Sequence, residues 1–282
     1  MLTRRQFTST CALVAAAAPL LASDEVHAQK SSGGGTSSAS ATGHDMPAHW
    51  MGKEKMAFLI YPQFTALDMV GPHYMFANVM GAKVDIVAKT REPVVSDNGL
   101  TFVPTVTFDE CPPELDVICV PGGSTGTLNA MQDEATMKFL KERGGRAKFV
   151  TSVCTGSLLL GAAGLLDGYR ATSHWAAKDL LPIFGATAAP GRFVRDRNRI
   201  TGGGVTAGID FGLYLVGQLR DREYAEGVQL IAEYAPEPPF DSGLPERASV
   251  PIKKIIDDMF EGFVRQAREI GESAYSKAKR PL

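Results

Sequence analysis

From Met56 onward the apolar residues come in short bursts between small or polar residues, and their rhythm alternates between that of strands and that of helices. "MAFLIYP" predicts a strand, a helix follows from about Pro72, and "AKVDIVAK" predicts a second strand ahead of a hairpin-like stretch through "PVVSDNGLTFVPTVTF". "LDVICVPGG" is a near-continuous apolar run closed by two glycines, as in a strand buried on both faces. A polar helix near 132–143 leads to the strand "KFVTSV", after which "TGSLLLGAAGLL" is apolar enough to be an interior helix. "RFVRDRNRIT" predicts a hairpin turning near Asn198, followed by helices from about Val205 to Leu219 and near 222–233. Finally Ile252, Ile255, Ile256, Met259, Phe260, Phe263, Val264 and Ala267 recur as the stripe of an amphipathic helix, which must bury that stripe somewhere. Strands alternating with helices predict an α/β three-layer sandwich around a mostly parallel sheet, with sites at the carboxyl ends of its strands.

The first fifty residues follow another pattern. "MLTRRQFTSTCALVAAAAPLLASDEVHAQ" carries a twin arginine (Arg4, Arg5), then Phe7, an apolar run to Leu21 and a small-residue cleavage site ending at Ala28. It reads as a twin-arginine export signal over residues 1–28, implying a periplasmic protein; an uncleaved N-terminal anchor is the alternative. The apolar run falls short of the ~20 residues a spanning helix needs, so no stable membrane span is expected after cleavage. A Gly/Ser tract makes 29–52 a flexible linker, in or beside which His44 and His49 are expected to be solvated. The folded domain is expected over 53–247 and the terminal helix over 248–282.

The formal charge of −2 is unchanged by loss of 1–28, because Arg4, Arg5, Asp24 and Glu25 cancel. That balance invites neither nucleic acid nor acidic lipid. Three cysteines remain after cleavage, Cys111, Cys119 and Cys154, so an oxidising compartment leaves at least one thiol unpaired. Cys119 reads as a core residue of its strand and Cys111 as a loop residue.

Cys154 stands at a strand-to-helix junction, "S-V-C-T-G", a variant of the nucleophile elbow in which a tight turn lifts one side chain out of the backbone. The helix N-terminus behind it favours thiolate. Gly122 and Gly123, ending the neighbouring strand, offer bare amides that with the Thr155 amide can hold negative charge on a substrate. Asp68, in "FTALDMVGP", has apolar neighbours; close to the thiol its carboxyl would be held protonated as a proton donor, and otherwise it caps the helix. For Cys154 the bland alternative is a small buried core residue. His174, in "ATSHWA", is either a base or substrate contact, or packs against Trp175, and His73 is a second histidine placed to face the site. No ligand spacing for a metal is present, and no metal or organic cofactor is expected.

Several blocks in order carry a resemblance: "FTALDMVGP", "VPGG", "TSVCTGSLLLGAAGLLDGYRATSHWA", "ITGGGVTAGIDFGL" and "EYAPEPPFDSGLP". Over about 56–245 the chain resembles the ThiJ/PfpI superfamily, with its class I glutamine amidotransferase-like, flavodoxin-like fold, and within it most resembles the isonitrile hydratases. The resemblance implies a nucleophile at Cys154 assisted by Asp68 and Thr155, a small-molecule substrate and a homodimer. It implies hydration of an isonitrile to an N-substituted formamide. The alternatives are another small-molecule reaction of the superfamily, such as a glyoxalase-like one, or a non-catalytic ligand- or redox-sensing module. The departures narrow the reading: Thr155 follows the cysteine where protease-like members have histidine, and His174-Trp175-Ala176 lacks the His-x-Glu pair of amidotransferases.

Overall fold

A computed structural model describes residues 46–279, so the expected signal and most of the expected linker lie outside the described residues. In chain order the strands are β1 (Lys55–Leu59), β2 (Lys83–Ala88), β3 (Val94–Val95), β4 (Thr101–Phe102), β5 (Val106–Thr107), β6 (Val117–Val120), β7 (Phe149–Ser152), β8 (Arg170–Ala171), β9 (Thr187–Ala188), β10 (Phe193–Asp196) and β11 (Arg199–Gly202). The helices are α1 (Ala66–Ala77), α2 (Ser124–Gln132), α3 (Glu134–Arg146), α4 (Gly156–Ala162), α5 (Ala207–Leu219), α6 (Arg222–Ile231) and α7 (Val250–Ala278). Seven strands form one sheet in the order β10-β11-β7-β6-β1-β2-β5, parallel throughout except for the antiparallel β10–β11 hairpin. This is the mixed, mostly parallel α/β sandwich that the alternation of elements predicts.

β6 is buried at all four positions and β1 at four of five, because helices cover both faces of the sheet. In the order β11-β7-β6-β1 the four central strands run parallel, so their carboxyl ends lie side by side. The loops leaving β1, β6, β7 and β11 therefore converge on one edge of the sheet. The segments that follow these strands carry Asp68 in the first turn of α1, Gly122, Cys154 and the glycines 203–204, with Gly202 ending β11.

Two expectations change. Residues before 53 take part in the fold: Ala48–Trp50 form a 3-10 turn docked on α6. The Trp50 indole N–H donates to Asp221 (2.8 Å) and its ring meets Tyr224 edge-on at 5.2 Å, while Arg220 donates to the Trp50 carbonyl (2.7 Å) and pairs with Glu54. His49 pairs with Asp221 at 2.5 Å instead of being merely solvated. Partial burial of an aromatic ring thus anchors this segment to the domain.

The terminal helix is present, but its buried face is shifted toward the C-terminus. Phe263, Val264, Ala267, Ile270, Gly271, Ala274 and Tyr275 are buried or half-buried, mainly over α2, α4 and the 3-10 segment Lys178–Phe184, whereas Ile252, Ile255 and Met259 stay exposed. Phe184 is the centre of this contact, meeting the Tyr275 ring at right angles with centroids 6.1 Å apart. A Cβ at Gly161 in α4 would lie 2.5 Å from Phe184 Cγ and 2.8 Å from its Cβ, atoms too near the backbone to swing aside. Gly161→Ala is therefore expected to lower stability by ~1–3 kcal/mol through overpacking, read from urea unfolding. An unchanged unfolding midpoint would refute this account of the α4–α7 layer.

Candidate active site

Two residues after β7 the chain turns so sharply that Cys154 adopts φ 57°, a left-handed conformation unusual outside glycine. Such a conformation costs on the order of 1–3 kcal/mol and persists where its surroundings fix it. Here the Cys154 N–H donates to the Gly202 carbonyl (3.1 Å). The Cys154 carbonyl accepts the hydroxyls of Ser157 and Ser173, both at 3.1 Å. Gly156 closes the turn by close approach, since a Cβ there would lie 2.1 Å from the Val120 carbonyl oxygen. Cys154 is 7% exposed.

Asp68 reaches the same place from β1. α1 begins at Ala66 rather than near Pro72, so Asp68 lies inside its first turn and Pro72 is accommodated within the helix. Proline commonly marks a helix start, which displaced the expected boundary. Nor does Asp68 cap the helix: Thr65 occupies the N-cap, and Asp68 Oδ2 accepts the Gly122 N–H at 2.8 Å. Its Oδ1 is buried and has no hydrogen-bond partner. Burial pushes the carboxyl up to about 8, with the Asp97 charge adding to the rise and the Gly122 N–H opposing it.

The thiolate expectation is corrected. Burial, and then the negative charge that Asp68 would carry, push the Cys154 thiol well above its usual range; the Thr155 amide and hydroxyl pull the other way without overcoming them. The helix behind the sulfur has only seven residues, and the water lost from around the sulfur outweighs its dipole. At neutral pH the resting site is a thiol and a carboxylic acid within hydrogen-bond reach of each other.

Gly122 and Gly123 do lie at the site, but their amides are not free for a substrate. The Gly122 N–H is held by Asp68, and the Gly123 N–H donates to Thr155 Oγ1 at 3.0 Å. On the other edges of these peptides, the Pro121 carbonyl accepts the Tyr61 hydroxyl (2.8 Å) and the Gly122 carbonyl accepts the Thr65 N–H (2.8 Å). Both peptide planes are clamped from two sides, so the glycine pair fixes Asp68 and Thr155. Only the Thr155 amide remains as sequence reading placed it, next to the sulfur.

The two histidines make no hydrogen bond to this cluster. His73, on α1, packs its ring against Phe58 with centroids 5.4 Å apart; His174 lies between Trp175 (5.4 Å) and Phe260 of α7 (5.1 Å). Burial lowers both from the usual histidine value, and neither has a hydrogen bond to Cys154, Asp68 or Thr155. His174 thus packs against Trp175, as one of its two expected roles requires. Cys119 is fully buried in β6 and pushed up to about 12, as a core thiol; Cys111 is also buried, and the three described cysteines are free thiols. Two hydroxyls escaped the sequence reading, Tyr61 and Thr127. Thr127 Oγ1 is 2.9 Å from Thr155 Oγ1 and 3.3 Å from Tyr61 Oη, a contact between residues 66 positions apart that no local pattern signals.

Among the described residues no three His, Cys, Asp or Glu side chains cluster so as to hold a metal ion, and no helix is long and apolar enough to cross a membrane. A cavity of about 680 Å³ between α3, α4 and α7 is lined by residues such as Met137, Lys141 and Ile270, and none of the cluster around Cys154 borders it. A strained cysteine beside a protonated acid, with one carboxyl oxygen unpartnered, is equipped for addition of sulfur to a carbon that simultaneously gains a proton.

The DJ-1/PfpI family pattern matches residues 54–218. The chain is 53% identical over 194 residues to isonitrile hydratase of Pseudomonas putida, covering 69% of this chain and 84% of that protein. It is 30% identical over 183 residues to the HTH-type transcriptional regulator GbdR of Pseudomonas aeruginosa, of which it spans 49%. In structure it is similar to a ThiJ/PfpI family protein from Pseudomonas syringae, with TM-score 0.79 and 52% identity over 82% of this chain and 96% of that one. A family pattern spanning more than half of the chain, on a mostly parallel sheet flanked by helices, makes this protein a member of the DJ-1/PfpI family.

Proposed function

We infer that the protein hydrates an isonitrile to the N-substituted formamide, with Cys154 as nucleophile and Asp68 as the proton-transferring group. The observation that carries this reading is the buried Cys154–Asp68 pair, in which a carboxyl held protonated presents a free oxygen beside a thiol. The similarity to an isonitrile hydratase over most of both chains supports the substrate class.

The terminal carbon of R–NC must gain a proton and a nucleophile at one centre. Asp68 gives its proton to that carbon and the sulfur adds there, while the thiol proton passes to the carboxylate just formed; the product is a thioimidate, R–N=CH–S–Cys. Water then adds to the same carbon, Asp68 protonating the nitrogen and recovering a proton from the water. Collapse of R–NH–CH(OH)–S–Cys breaks the C–S bond, releases R–NH–CHO and returns the hydroxyl proton to sulfur. Atoms and charge balance as R–NC plus water, with no cofactor in the scheme. Thr155 stabilises the charge developing on sulfur, through its amide and hydroxyl.

The same reading makes the protein a periplasmic homodimer. The twin arginine supports export, and exposed Leu67, Val70 and Tyr74, one helical face of α1, supply an apolar stripe for a second copy. Native mass spectrometry of the periplasmic protein is expected to give two chains that each lack residues 1–28. A single chain, or one retaining its N-terminus, overturns the corresponding part.

Cys154→Ala is expected to abolish formamide production from a panel of isonitriles, and Asp68→Asn to slow it about 10²–10⁴-fold, the usual contribution of a positioned acid. Wild-type kcat/KM should fall on the alkaline side with a midpoint near 8, as Asp68 loses its proton. Turnover by Cys154→Ala at the wild-type rate would sink the mechanism; methylglyoxal consumption without isonitrile consumption would favour the glyoxalase-like alternative.

The raised carboxyl also makes stability depend on pH. Asp68 keeps its proton up to about 8 when folded, against an ordinary value of 3.8, so the folded chain holds the extra proton between those values and loses stability as pH rises through them. Asp68→Asn cannot ionise and can still accept the Gly122 N–H. Its melting temperature is expected to exceed the wild type's by several degrees at pH 8, with the gap closing near pH 4. A difference independent of pH would show that Asp68 is ionised in the folded protein.

A further inference from the structure

The Thr155 hydroxyl has more neighbours than it has hydrogen-bonding capacity. It accepts the Gly123 N–H (3.0 Å), lies 2.9 Å from Thr127 Oγ1 and 3.1 Å from the Gly123 carbonyl, and belongs to the residue next to Cys154, whose ionised form it favours. A hydroxyl has one proton and two lone pairs, so the order in which these contacts are used is constrained. Beyond Thr155, Thr127 Oγ1 has one other side-chain neighbour, Tyr61 Oη, at the longer distance of 3.3 Å; the Tyr61 proton is already placed on the Pro121 carbonyl at 2.8 Å. All three side chains are buried, with Thr127 wholly inaccessible, so water does not compete for these places.

The arrangement that uses the shortest contacts has Tyr61 donating to Pro121, Thr127 donating to Thr155, and the Gly123 N–H donating to Thr155. Both lone pairs of Thr155 are then filled. Its proton has two destinations, the Gly123 carbonyl at rest and the sulfur when the sulfur becomes charged. Donation into a hydroxyl strengthens the bond that hydroxyl gives. We propose that Thr127 is a positioning residue of this site: its hydroxyl donates to Thr155 and thereby fixes and strengthens the Thr155 hydrogen bond to the ionised Cys154 sulfur.

The proposal rests on Cys154 being the reactive thiol, and not on the identity of the substrate. The ionisable groups that act at the site are Asp68 from α1 and Tyr61, two residues after β1, with Cys119 of β6 facing Asp68 and Asp97 acting on both Asp68 and Tyr61. Thr127 is none of these, so its replacement changes a hydrogen bond without changing any charge. Gly123 contributes only backbone and is untouched by the substitution.

The test is the rate of iodoacetamide alkylation of Cys154 against pH, followed by mass spectrometry of the peptide that contains it. Thr127→Val, which replaces the hydroxyl by a methyl of similar size, is expected to raise the midpoint of the profile by about one pH unit, equivalent to about tenfold less thiolate at a given pH. Thr127→Ala and Thr127→Ser give a second comparison that differs only in the hydroxyl: the alanine profile should move as the valine one does, and the serine profile should stay with the wild type. A valine or alanine profile superimposed on the wild type's overturns the proposal, as does a serine profile displaced as far as alanine's. Because the reagent is not an isonitrile, the profiles judge Thr127 even if the wild type hydrates no isonitrile. If it does, Thr127→Val should lower kcat at neutral pH and leave KM in place.

Discussion

Removal of water from around one carboxyl group governs the chemistry of this protein. Asp68 lies wholly inside the domain, next to a sulfur and with a single amide donor, and there the neutral acid is the cheaper form. A carboxylate in that position would face both an apolar surrounding and any charge on the thiol. Burial therefore favours the protonated form of both members of the pair. An exposed aspartate beside the same cysteine would be ionised at neutral pH and could act only as a base.

Keeping such a carboxyl in place requires a scaffold that does not relax around it. The parallel order of β11, β7, β6 and β1 brings four loop ends together, and each loop fixes the next. Gly202 holds the Cys154 N–H, Gly122 holds Asp68, Gly123 holds Thr155, and the peptides that make these bonds are gripped on their far sides by Tyr61 and Thr65. The left-handed turn at Cys154 is maintained by this mutual bracing. Because the bracing is made of backbone groups and buried hydroxyls, it adds rigidity without adding charge near the sulfur.

Family membership does not by itself fix the role of the scaffold. The relatives of this chain include an isonitrile hydratase and a transcriptional regulator, so similar chains occur in an enzyme and in a regulator of transcription. What favours catalysis here is local: an acid and a thiol share a water-poor site, with one carboxyl oxygen left unsatisfied by the protein. Buried polar atoms are nearly always paired, and Asp68 Oδ1 is, with Ser152 Oγ and Arg143 Nε, one of the exceptions among the described residues.

The sequence by itself determined the alternation of elements, the strand buried at every position in "VICV", the hairpin at Asn198 and the elbow at Cys154, because each follows from local periodicity or from a turn that only small neighbours permit. It also brought Asp68, Thr155 and the glycine pair to the site, through the rule that loops at strand carboxyl ends share an edge. Only the tertiary structure decided their states. Protonation of the acid and the thiol depends on how much water the assembled loops exclude. The duty of the glycine amides depends on which side chains arrive opposite them, and the packing of His174 depends on Phe260, which lies 86 positions further along the chain. The start of α1 and the docking of Trp50 were hidden for the same reason: proline and a polar tract carry strong local signals, and contacts with distant residues overrode both.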